Sequence, residues 1–322
     1  ATGRLALTGP DTLAAFQQVL RTVTYQNTST QPGTAARIIE VVANDGTNAG
    51  NAAVSTIRIT PTNNAPVLNA PAPLSLGDIT EDTTQPAGMA IAVLLAAAGD
   101  PISDADDNAL EGMAIVATDG SHGSWQFSLA NPPAGEANWQ PAGVVSSSSA
   151  LLLPDTAWLR FVPAANYVGP SGEMTFRAWD QTSGAAGQRV DASQTGGSSA
   201  FSTATGTVVA TVTPVNDPPA LTGLSASALP YAEDASPTRL MPGEVVVDVD
   251  NAVLAGATVR LTNPLDGDAE QLSAAPGSTG IAAVYEDGAL RLSGAASLAA
   301  YQQVLRSVAY HNTSQDPDAT PR

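Results

Sequence analysis

Short segments in which apolar and polar residues alternate recur along the whole chain, separated by turns rich in glycine, proline and asparagine. Ile38–Val42 and Val54–Ile59 are two such segments, and Asn44-Asp45-Gly46 follows the first. Alternation with a period of two places successive side chains on opposite faces of a strand. Asn-Asp-Gly is a turn-forming sequence of the kind that joins paired strands. The pattern therefore predicts β-strands connected by short turns.

The stretch from about Ala65 to Asp217 carries the largest number of predicted strands. Most of its aromatic residues fall within these strands, which favours a role in a hydrophobic core over an exposed stacking surface. The predicted core aromatics are Trp125, Trp158, Phe161, Phe176 and Trp179. The predicted strands are Met113–Ala117, Ser124–Leu129, Leu151–Leu153, Trp158–Val162, Glu173–Trp179 and Thr205–Thr213.

One segment of 27 residues occurs twice, at 3–29 and again at 288–314, with 17 identical positions. Residues 218–312 joined to residues 28–65 would make one repeat of about 130 residues. We therefore predict three units: 1–64 as the C-terminal half of a repeat, 65–217 as a complete unit, and 218–322 as a repeat without its last strands. Tandem units of this kind make quasi-linear arrays, and we expect the chain to belong to a longer one.

The duplicated segment combines two periodicities. Leu5 and Leu7 alternate with polar residues and predict a strand. A short helix follows behind Asp11 or Thr12 as N-cap, and the extended chain returns at Tyr25. The apolar residues at helical spacing are Leu13, Phe16, Leu20 and Val23.

Charge and composition narrow the classes of function. The chain has 30 acidic and 12 basic residues and a net charge of −18, which argues against nucleic acid and anionic lipid as partners. Its longest apolar run, Met89–Ala98, is about half of a membrane span, so we expect no membrane insertion. Cysteine is absent, which excludes disulfides and thiolate metal sites. An acidic chain of this kind remains compatible with divalent cations.

The acidic residues occupy corresponding places in successive units. Each unit contributes elements of one ordered pattern: an acidic doublet, an Asp-x-Asp, an aspartate after a late strand, and a closing Asn-Asp or Asn-Asn pair. In that order the residues are Glu81, Asp82, Glu233 and Asp234; Asp104, Asp106, Asp248 and Asp250; Asp45 and Asp180; and Asn63, Asn64, Asn216 and Asp217.

This pattern suits a hard divalent cation. Calcium takes six to eight oxygen ligands from carboxylates, amides and backbone carbonyls. An Asp-x-Asp in extended chain directs both carboxylates to one side. Two full charges about 4 Å apart repel by roughly 1 kcal/mol even in water, and a bound divalent ion removes that repulsion. Rigid linkers with turn-forming side chains would explain the closing pairs without a metal.

Taken together, the motifs resemble those of bacterial cadherin-like repeats. The first and last units are similar to the chondroitin-sulfate-proteoglycan type, and the middle unit to a related repeat containing Gly123–Ser128, Arg160–Pro163 and Phe176–Gln181. The resemblance covers essentially the whole chain. It implies an all-β fold of tandem cadherin- or immunoglobulin-like antiparallel β-sandwiches, with one short helix in the repeat unit.

The resemblance also implies where calcium would bind, because cadherins hold their ions between successive domains. One site would lie between the middle and last units and a second between the first and middle units. In the second site Asn64 stands where the pattern has aspartate, which removes one charge and weakens the site. The first site would use Glu81 or Asp82 with Asn216, Asp217, Asp248 and Asp250; the second would use Asn63, Asn64, Asp104, Asp106 and Asp180.

Such repeats occur in large adhesins that bacteria export by type I secretion. The implied function is a calcium-stiffened stalk at the cell surface or outside the cell, whose partners are calcium ions and neighbouring repeats. The alternative is a module that binds host or matrix glycans or proteins through the middle-unit loops Asn131–Pro141 and Gln181–Ser199, with Trp139 as a stacking residue.

Catalysis is not expected from this sequence. The chain has two histidines and no nucleophile elbow, histidine-rich metal motif or phosphate-binding loop. Paired carboxylates are frequent, but the metal pattern accounts for them. We therefore expect a non-enzymatic protein.

Overall fold

The computed structural model describes residues 3–130, 138–223, 227–243 and 245–321. Contacts divide the chain into two compact units, Ala1–Thr213 and Pro214–Arg322. The predicted boundary after residue 217 lies close to this division, whereas the predicted boundary after residue 64 falls inside the first unit. Strands dominate both units, which confirms the predicted all-β class at the level of secondary structure.

Alternating segments of the sequence form most of the strands, and helices occur where apolar residues follow a helical period. The helices are α1 (Leu13–Leu20), α2 (Ile91–Ala97) and α3 (Leu298–Leu305). The strands of the first unit are β1 (Arg37–Asn44), β2 (Ala49–Ile57), β3 (Val67–Leu68), β4 (Leu74–Thr80), β5 (Met89–Ala90), β6 (Ile102–Ser103), β7 (Gly112–Thr118), β8 (Gly123–Ser128), β9 (Gln140–Pro141), β10 (Ala150–Pro154), β11 (Trp158–Pro163), β12 (Gly169–Pro170), β13 (Met174–Ala178), β14 (Arg189–Val190) and β15 (Gly206–Thr213). Those of the second unit are β16 (Ala220–Thr222), β17 (Thr238–Arg239), β18 (Val245–Val247), β19 (Val253–Arg260), β20 (Glu270–Ser273), β21 (Ala282–Glu286), β22 (Ala289–Ser297) and β23 (Ala309–Asn312).

Two larger sheets build most of the first unit. One has the order β12-β15-β13-β7-β10-β14, with β4 also paired to β15, and the other has the order β5-β11-β8-β9. All these pairs are antiparallel except β4 with β15, which run parallel. The predicted antiparallel sheets therefore include one parallel pair, which the sequence analysis did not foresee. A parallel pair needs a long crossover, and here the chain between the two strands contains β5 to β14.

Side chains from both larger sheets meet in one hydrophobic core. Phe161 of β11 and Phe176 of β13 are fully buried in it, and Trp125 is 3% exposed. Trp179 is 1% exposed and belongs to a smaller cluster with Phe201 on the other side of the first sheet. These four predictions of buried aromatics are confirmed, whereas Trp158 is half-exposed.

The apolar run Met89–Ala98 forms a short strand and helix α2, which the sequence analysis did not predict as elements. Ile91, Leu94 and Leu95 of this helix pack into the core. No helix within the described ranges has the length and apolar character needed to cross a membrane.

The first copy of the duplicated segment forms helix α1 but no preceding strand. Thr12 caps the helix, since its side-chain oxygen accepts a hydrogen bond from the Ala15 N–H at 3.2 Å. None of the helix residues is buried, and Leu13 is 83% exposed. The predicted strand at Leu5 and Leu7 was wrong for this copy, because no described strand lies beside it to accept its backbone hydrogen bonds.

The second copy has the full set of predicted elements. Its alternating residues form β22, which pairs with β19 and β21, and its helix is α3, capped by Ser297. Tyr301 and Val304 of α3 are fully buried against these strands. The last part of the copy forms β23, between β17 and β20. The same local sequence therefore gives the same helix in both copies, but only the second buries it.

Candidate functional site

Two short strand pairs bring the closing pairs of the predicted pattern beside the Asp-x-Asp motifs. In the first unit Val67 lies opposite Ser103, the residue before Asp104. In the second unit Ala220 lies opposite Val247, the residue before Asp248. The two registers are equivalent. We name the resulting groups the first linker cluster (Asn63, Asn64, Asp104, Asp106 and Asp180) and the second linker cluster (Asn216, Asp217, Asp248, Asp250 and Asn251).

Asn64 and Asp106 form the centre of the first linker cluster. The Asn64 backbone N–H donates to Oδ2 of Asp106 at 2.7 Å, and its side-chain amide donates to Oδ1 at 2.8 Å. Both carboxylate oxygens of Asp106 therefore bind one residue of the linker. The Asp106 N–H in turn donates to Oδ1 of Asp104 at 2.8 Å, so the Asp-x-Asp folds into a tight turn.

Asp104 lies in an electrostatically unfavourable position. Burial raises the pKa of its carboxyl, and the charges of Asp106 and Asp180 raise it further against the opposing hydrogen bond from the Asp106 N–H. Its Oδ2 atom is buried, and no described residue donates a hydrogen bond to it. A buried carboxylate oxygen without a donor, near two other carboxylates, is an acceptor suited to a cation.

Asp180 connects the end of β13 to the linker. Its side chain is 3% exposed and accepts a hydrogen bond on Oδ2 from the Asn63 side-chain amide at 2.8 Å. Oδ1 accepts from the N–H and hydroxyl of Thr182 at 2.8 and 2.6 Å. The Asn63 amide also donates to the Ser199 carbonyl at 3.1 Å. The five residues predicted for the junction of the first and middle units thus lie together.

The second linker cluster repeats two backbone hydrogen bonds of the first. The Asp217 N–H donates to Oδ2 of Asp250, as the Asn64 N–H does to Asp106. The Asp250 N–H donates to Oδ1 of Asp248 at 3.0 Å. Three predicted ligands of the second unit, Asp217, Asp248 and Asp250, are therefore adjacent along the linker, and Asn216 is joined to them through Asn251.

Asn251 is the member that the sequence analysis missed. Its N–H donates to Oδ1 of Asp248 at 2.7 Å, and its amide donates to Oδ1 of Asn216 at 3.0 Å. The position of Asn251 directly after Asp248-Val-Asp250 could have indicated that it belongs to the cluster, because an Asx turn commonly closes there.

The acidic doublets occupy equivalent turns near the start of each unit. Asp82 and Asp234 both have positive φ, 60° and 59°. Glu81 is 3% exposed, and its N–H donates to the Thr213 carbonyl at 2.9 Å, where the chain leaves the first unit. Glu233 is exposed. Since Glu81 and Asp82 belong to the first unit and the other residues proposed for that junction to the second, the shared site stays a prediction.

The remaining late aspartate, Asp45, has a structural role in the turn between β1 and β2. Its Oδ1 accepts hydrogen bonds from the N–H groups of Thr47 and Asn48, both at 2.8 Å. These bonds lower the pKa of the exposed Asp45 carboxyl, the Asn48 bond most. Asp180 makes the equivalent turn contact with Thr182 and also accepts a hydrogen bond from Asn63. Among the described contacts, Asp45 has no counterpart of this second bond.

The clusters supply oxygen ligands of the type calcium takes, but their carboxylates are not arranged as a complete site. Across the described residues, no three or more His, Cys, Asp or Glu side chains converge closely enough to hold a metal ion. In the first linker cluster, amide N–H groups of Asn63 and Asn64 point at the carboxylates. Rotation of these amides by half a turn would present Oδ1 instead, so the residue types fit a cation while this arrangement is satisfied by hydrogen bonds.

Trp139, the residue predicted to stack on a glycan, is half-buried and packs against its neighbours in the first unit. The guanidinium of Arg160 lies over its ring, 4.3 Å from the centroid. On another side a Cβ at Gly88 would come within 2.6 Å of the ring. Most of the predicted binding loop Asn131–Pro141 lies outside the described residues. The second predicted loop, Gln181–Ser199, contains the short strand β14.

Comparison with known proteins adds little to this geometry. No protein-family model and no curated protein matches the chain. Among solved structures, an endo-fucoidan hydrolase of glycoside hydrolase family 107, MfFcnA4, and its single-residue variant share 13% and 14% identity with the chain, at TM-scores of 0.23 and 0.24. The chain spans 30% of the length of these enzymes, and 81% of the chain is covered. A likeness of this size does not support an enzymatic activity.

Proposed function

We propose that this chain is a non-enzymatic segment of a bacterial surface adhesin, built from cadherin-like β-sandwich repeats that calcium stiffens into a stalk. The observation that carries the proposal is the linker cluster, which occurs twice with the same register and the same two backbone hydrogen bonds. Two unrelated surface turns would not reproduce this arrangement. A repeated linker geometry is what a chain of similar units needs if each junction performs the same task.

Calcium would act on the strain within the first linker cluster. Asp104 lies close enough to Asp180 for the Asp180 charge to add to the effect of burial in raising the pKa of the Asp104 carboxyl, and the Asp180 side chain is itself withdrawn from water. Because these carboxylates do not converge in the present arrangement, a divalent ion would draw oxygens of Asp104, Asp106 and Asp180 together, with amide oxygens of Asn63 and Asn64 completing the set. Binding would join the linker to two loops of the following unit and restrict its bending.

Calcium titration of the full chain tests this function. We expect saturable heat in calorimetry with a dissociation constant of about 0.1–1 mM, and a higher melting temperature in calcium than in chelator. The variant Asp104→Asn should raise the calcium dissociation constant of one observed site at least about tenfold, because it removes a charged ligand without changing side-chain size. Melting temperature and heat are measured on the same samples.

Asp191→Asn is the matched control. Asp191 is an exposed aspartate whose side chain caps a turn at Ser193, and it belongs to neither linker cluster. The control removes the same charge and should leave calcium binding unchanged. Absence of calcium-dependent heat and of any shift in melting temperature would contradict the calcium role. Equal weakening of calcium binding by both variants would show that calcium only screens the negative charge of the chain nonspecifically.

A further inference from the structure

Asn64 of the first linker holds both oxygens of one carboxylate with N–H groups. Its backbone N–H and its side-chain amide donate to the two carboxylate oxygens of Asp106, at 2.7 and 2.8 Å, in a partly buried position. The amide nitrogen also donates to the Thr30 carbonyl at 3.1 Å. Because two acceptors surround this nitrogen, the N–H side of the amide faces Asp106. Hydrogen bonds to an ionised acceptor are roughly twice as strong as neutral ones.

The residues on either side of Asn64 add three further hydrogen bonds. The Asn63 amide donates to Oδ2 of Asp180 at 2.8 Å and to the Ser199 carbonyl at 3.1 Å. The Ala65 N–H donates to the Gly197 carbonyl at 2.9 Å. The two carbonyls belong to the loop between β14 and β15. The linker is therefore held at two places, the Asp-x-Asp turn and this loop, by donors that it supplies itself.

The second linker differs at the position of Asn64. Asp217 stands there, and its N–H donates to Oδ2 of Asp250 as the Asn64 N–H does to Asp106. A carboxylate has no N–H, so the Asp217 side chain cannot repeat the second bond that the Asn64 amide makes. It places a negative charge beside the charge of Asp250 instead, and like charges at close range repel.

We propose that Asn64 takes the place of a cation in the first linker, so that residues 63–65 stay docked on the first unit without calcium. The two N–H groups of Asn64 neutralise the hydrogen-bonding demand of Asp106, the task that an ion would perform between Asp217 and Asp250. The consequence for the second linker rests on the proposed function. Calcium replaces existing contacts in the first linker and adds a contact in the second.

The same arrangement sets the order in which the linkers respond to calcium. For an ion to be bound by the amide oxygens of Asn63 and Asn64, both amides must rotate. Rotation breaks the bonds from Asn63 to Asp180 and Ser199 and the bond from Asn64 to Asp106. An ion at the first linker therefore competes with three side-chain hydrogen bonds, and we expect the second linker to respond at lower calcium.

Hydrogen exchange of single backbone amides in the full chain, measured by NMR in chelator and in calcium, tests the proposal. In chelator we expect protection factors of Asn64 and Ala65 at least about tenfold larger than that of Asp217, since only the first linker is docked without an ion. Calcium should raise the protection of Asp217 at least about tenfold and change that of Ala65 by less than about threefold.

The variant Asn64→Asp gives the first linker the residue of the second. It keeps the size of the side chain, removes the amide donor and adds a charge beside Asp106. We expect the protection of Ala65 in chelator to fall at least about tenfold, because a bond to a charged group is lost. Asn51→Asp is the control, since Asn51 is an exposed residue of β2 outside both linker clusters, and it should leave Ala65 unchanged.

Each outcome decides for or against the role of Asn64. Loss of Ala65 protection in Asn64→Asp with protection kept in Asn51→Asp supports it. Unprotected Asn64 and Ala65 amides in the wild-type protein in chelator, or equal effects of the two variants, overturn it. If calcium changes no amide, the proposed function fails, whereas protection in chelator that Asn64→Asp removes still supports the role of Asn64. Fluorescence of Trp125 and Trp179, both buried in the first unit, verifies that the variants remain folded.

Discussion

Gly123 shows how closely the backbone approaches its neighbours in the core of the first unit. A Cβ on this residue would overlap the Val162 carbonyl oxygen and the Phe161 ring. Its backbone does not have a positive φ, so the requirement for glycine here is purely steric. Gly120 lies three residues earlier, and a Cβ there would meet its nearest neighbour at 3.4 Å, an ordinary contact.

We therefore expect Gly123→Ala to destabilise the first unit by about 3 kcal/mol, because neither the carbonyl nor the packed ring can move without disturbing the β8–β11 pair. Gly120→Ala should change the free energy of unfolding by less than about 0.5 kcal/mol. Urea denaturation followed by tryptophan fluorescence measures both. Similar effects of the two substitutions on the free energy of unfolding would show that the turn, and not the packing beneath it, requires glycine at position 123.

The individual residues of the linker clusters were predictable to different degrees. Asp104, Asp106 and Asp180 were chosen from sequence, and the structure places them together with Asn63 and Asn64. Their order along the chain indicated the group, because the same order recurs in the second unit. The direction of each hydrogen bond was not predictable, since it depends on how β3 pairs with β6 in three dimensions.

Helices α1 and α3 have nearly the same sequence and the same type of N-cap but different surroundings. Ser297 accepts a hydrogen bond from the Ala300 N–H at 3.2 Å, and Thr12 does the same for Ala15. Local propensity and capping were sufficient to predict both helices. Stability of a short helix, however, comes mainly from packing of its apolar face, and only α3 is buried.

We expect Ser297→Ala to lower the stability of the second unit by about 1 kcal/mol, the usual value for loss of a helix cap. Thr12→Ala should leave global unfolding unchanged, because α1 contributes no buried residue to a core. Hydrogen exchange at the α3 amides reports the first effect and the thermal transition of the first unit reports the second. A marked loss of stability in Thr12→Ala would mean that α1 is packed in solution.

The arrangement of strands was predictable in part. All the strands predicted between residues 113 and 213 are present, because each carries either an alternation or a continuous apolar run and forms part of a buried sheet. The short strands β3, β6, β16 and β18 were not predicted. They have two or three residues each, too few for a periodicity, and they exist because their partners hold them.

Across the full chain, the proposed function is mechanical, and calcium would act on the linkers. We expect small-angle scattering of the calcium-bound protein to give a narrower distribution of dimensions than scattering in chelator. Binding of an ion to residues on both sides of a linker reduces the number of orientations that the linker can adopt. The measurement is repeated at several protein concentrations, which separates stiffening from association between molecules.

Asp217→Asn supplies a matched comparison, because it gives the second linker the same residue that the first has at Asn64. We expect this variant to keep the fold and to require more calcium for the same narrowing. Identical scattering curves in calcium and in chelator would contradict stiffening, even where calorimetry detects bound ions.

The amino-acid pattern was sufficient to determine the β-rich fold, the duplicated segment with its capped helix, and the order in which acidic residues recur. These features depend on local periodicity and on spacing along the chain, which a sequence contains directly. Tertiary structure decided the parallel pairing of β4 with β15, the burial of α3 and exposure of α1, and the hydrogen bonds of the linker clusters. Those features depend on which distant segments lie beside each other, and the similar sequence of the two copies cannot determine that by itself.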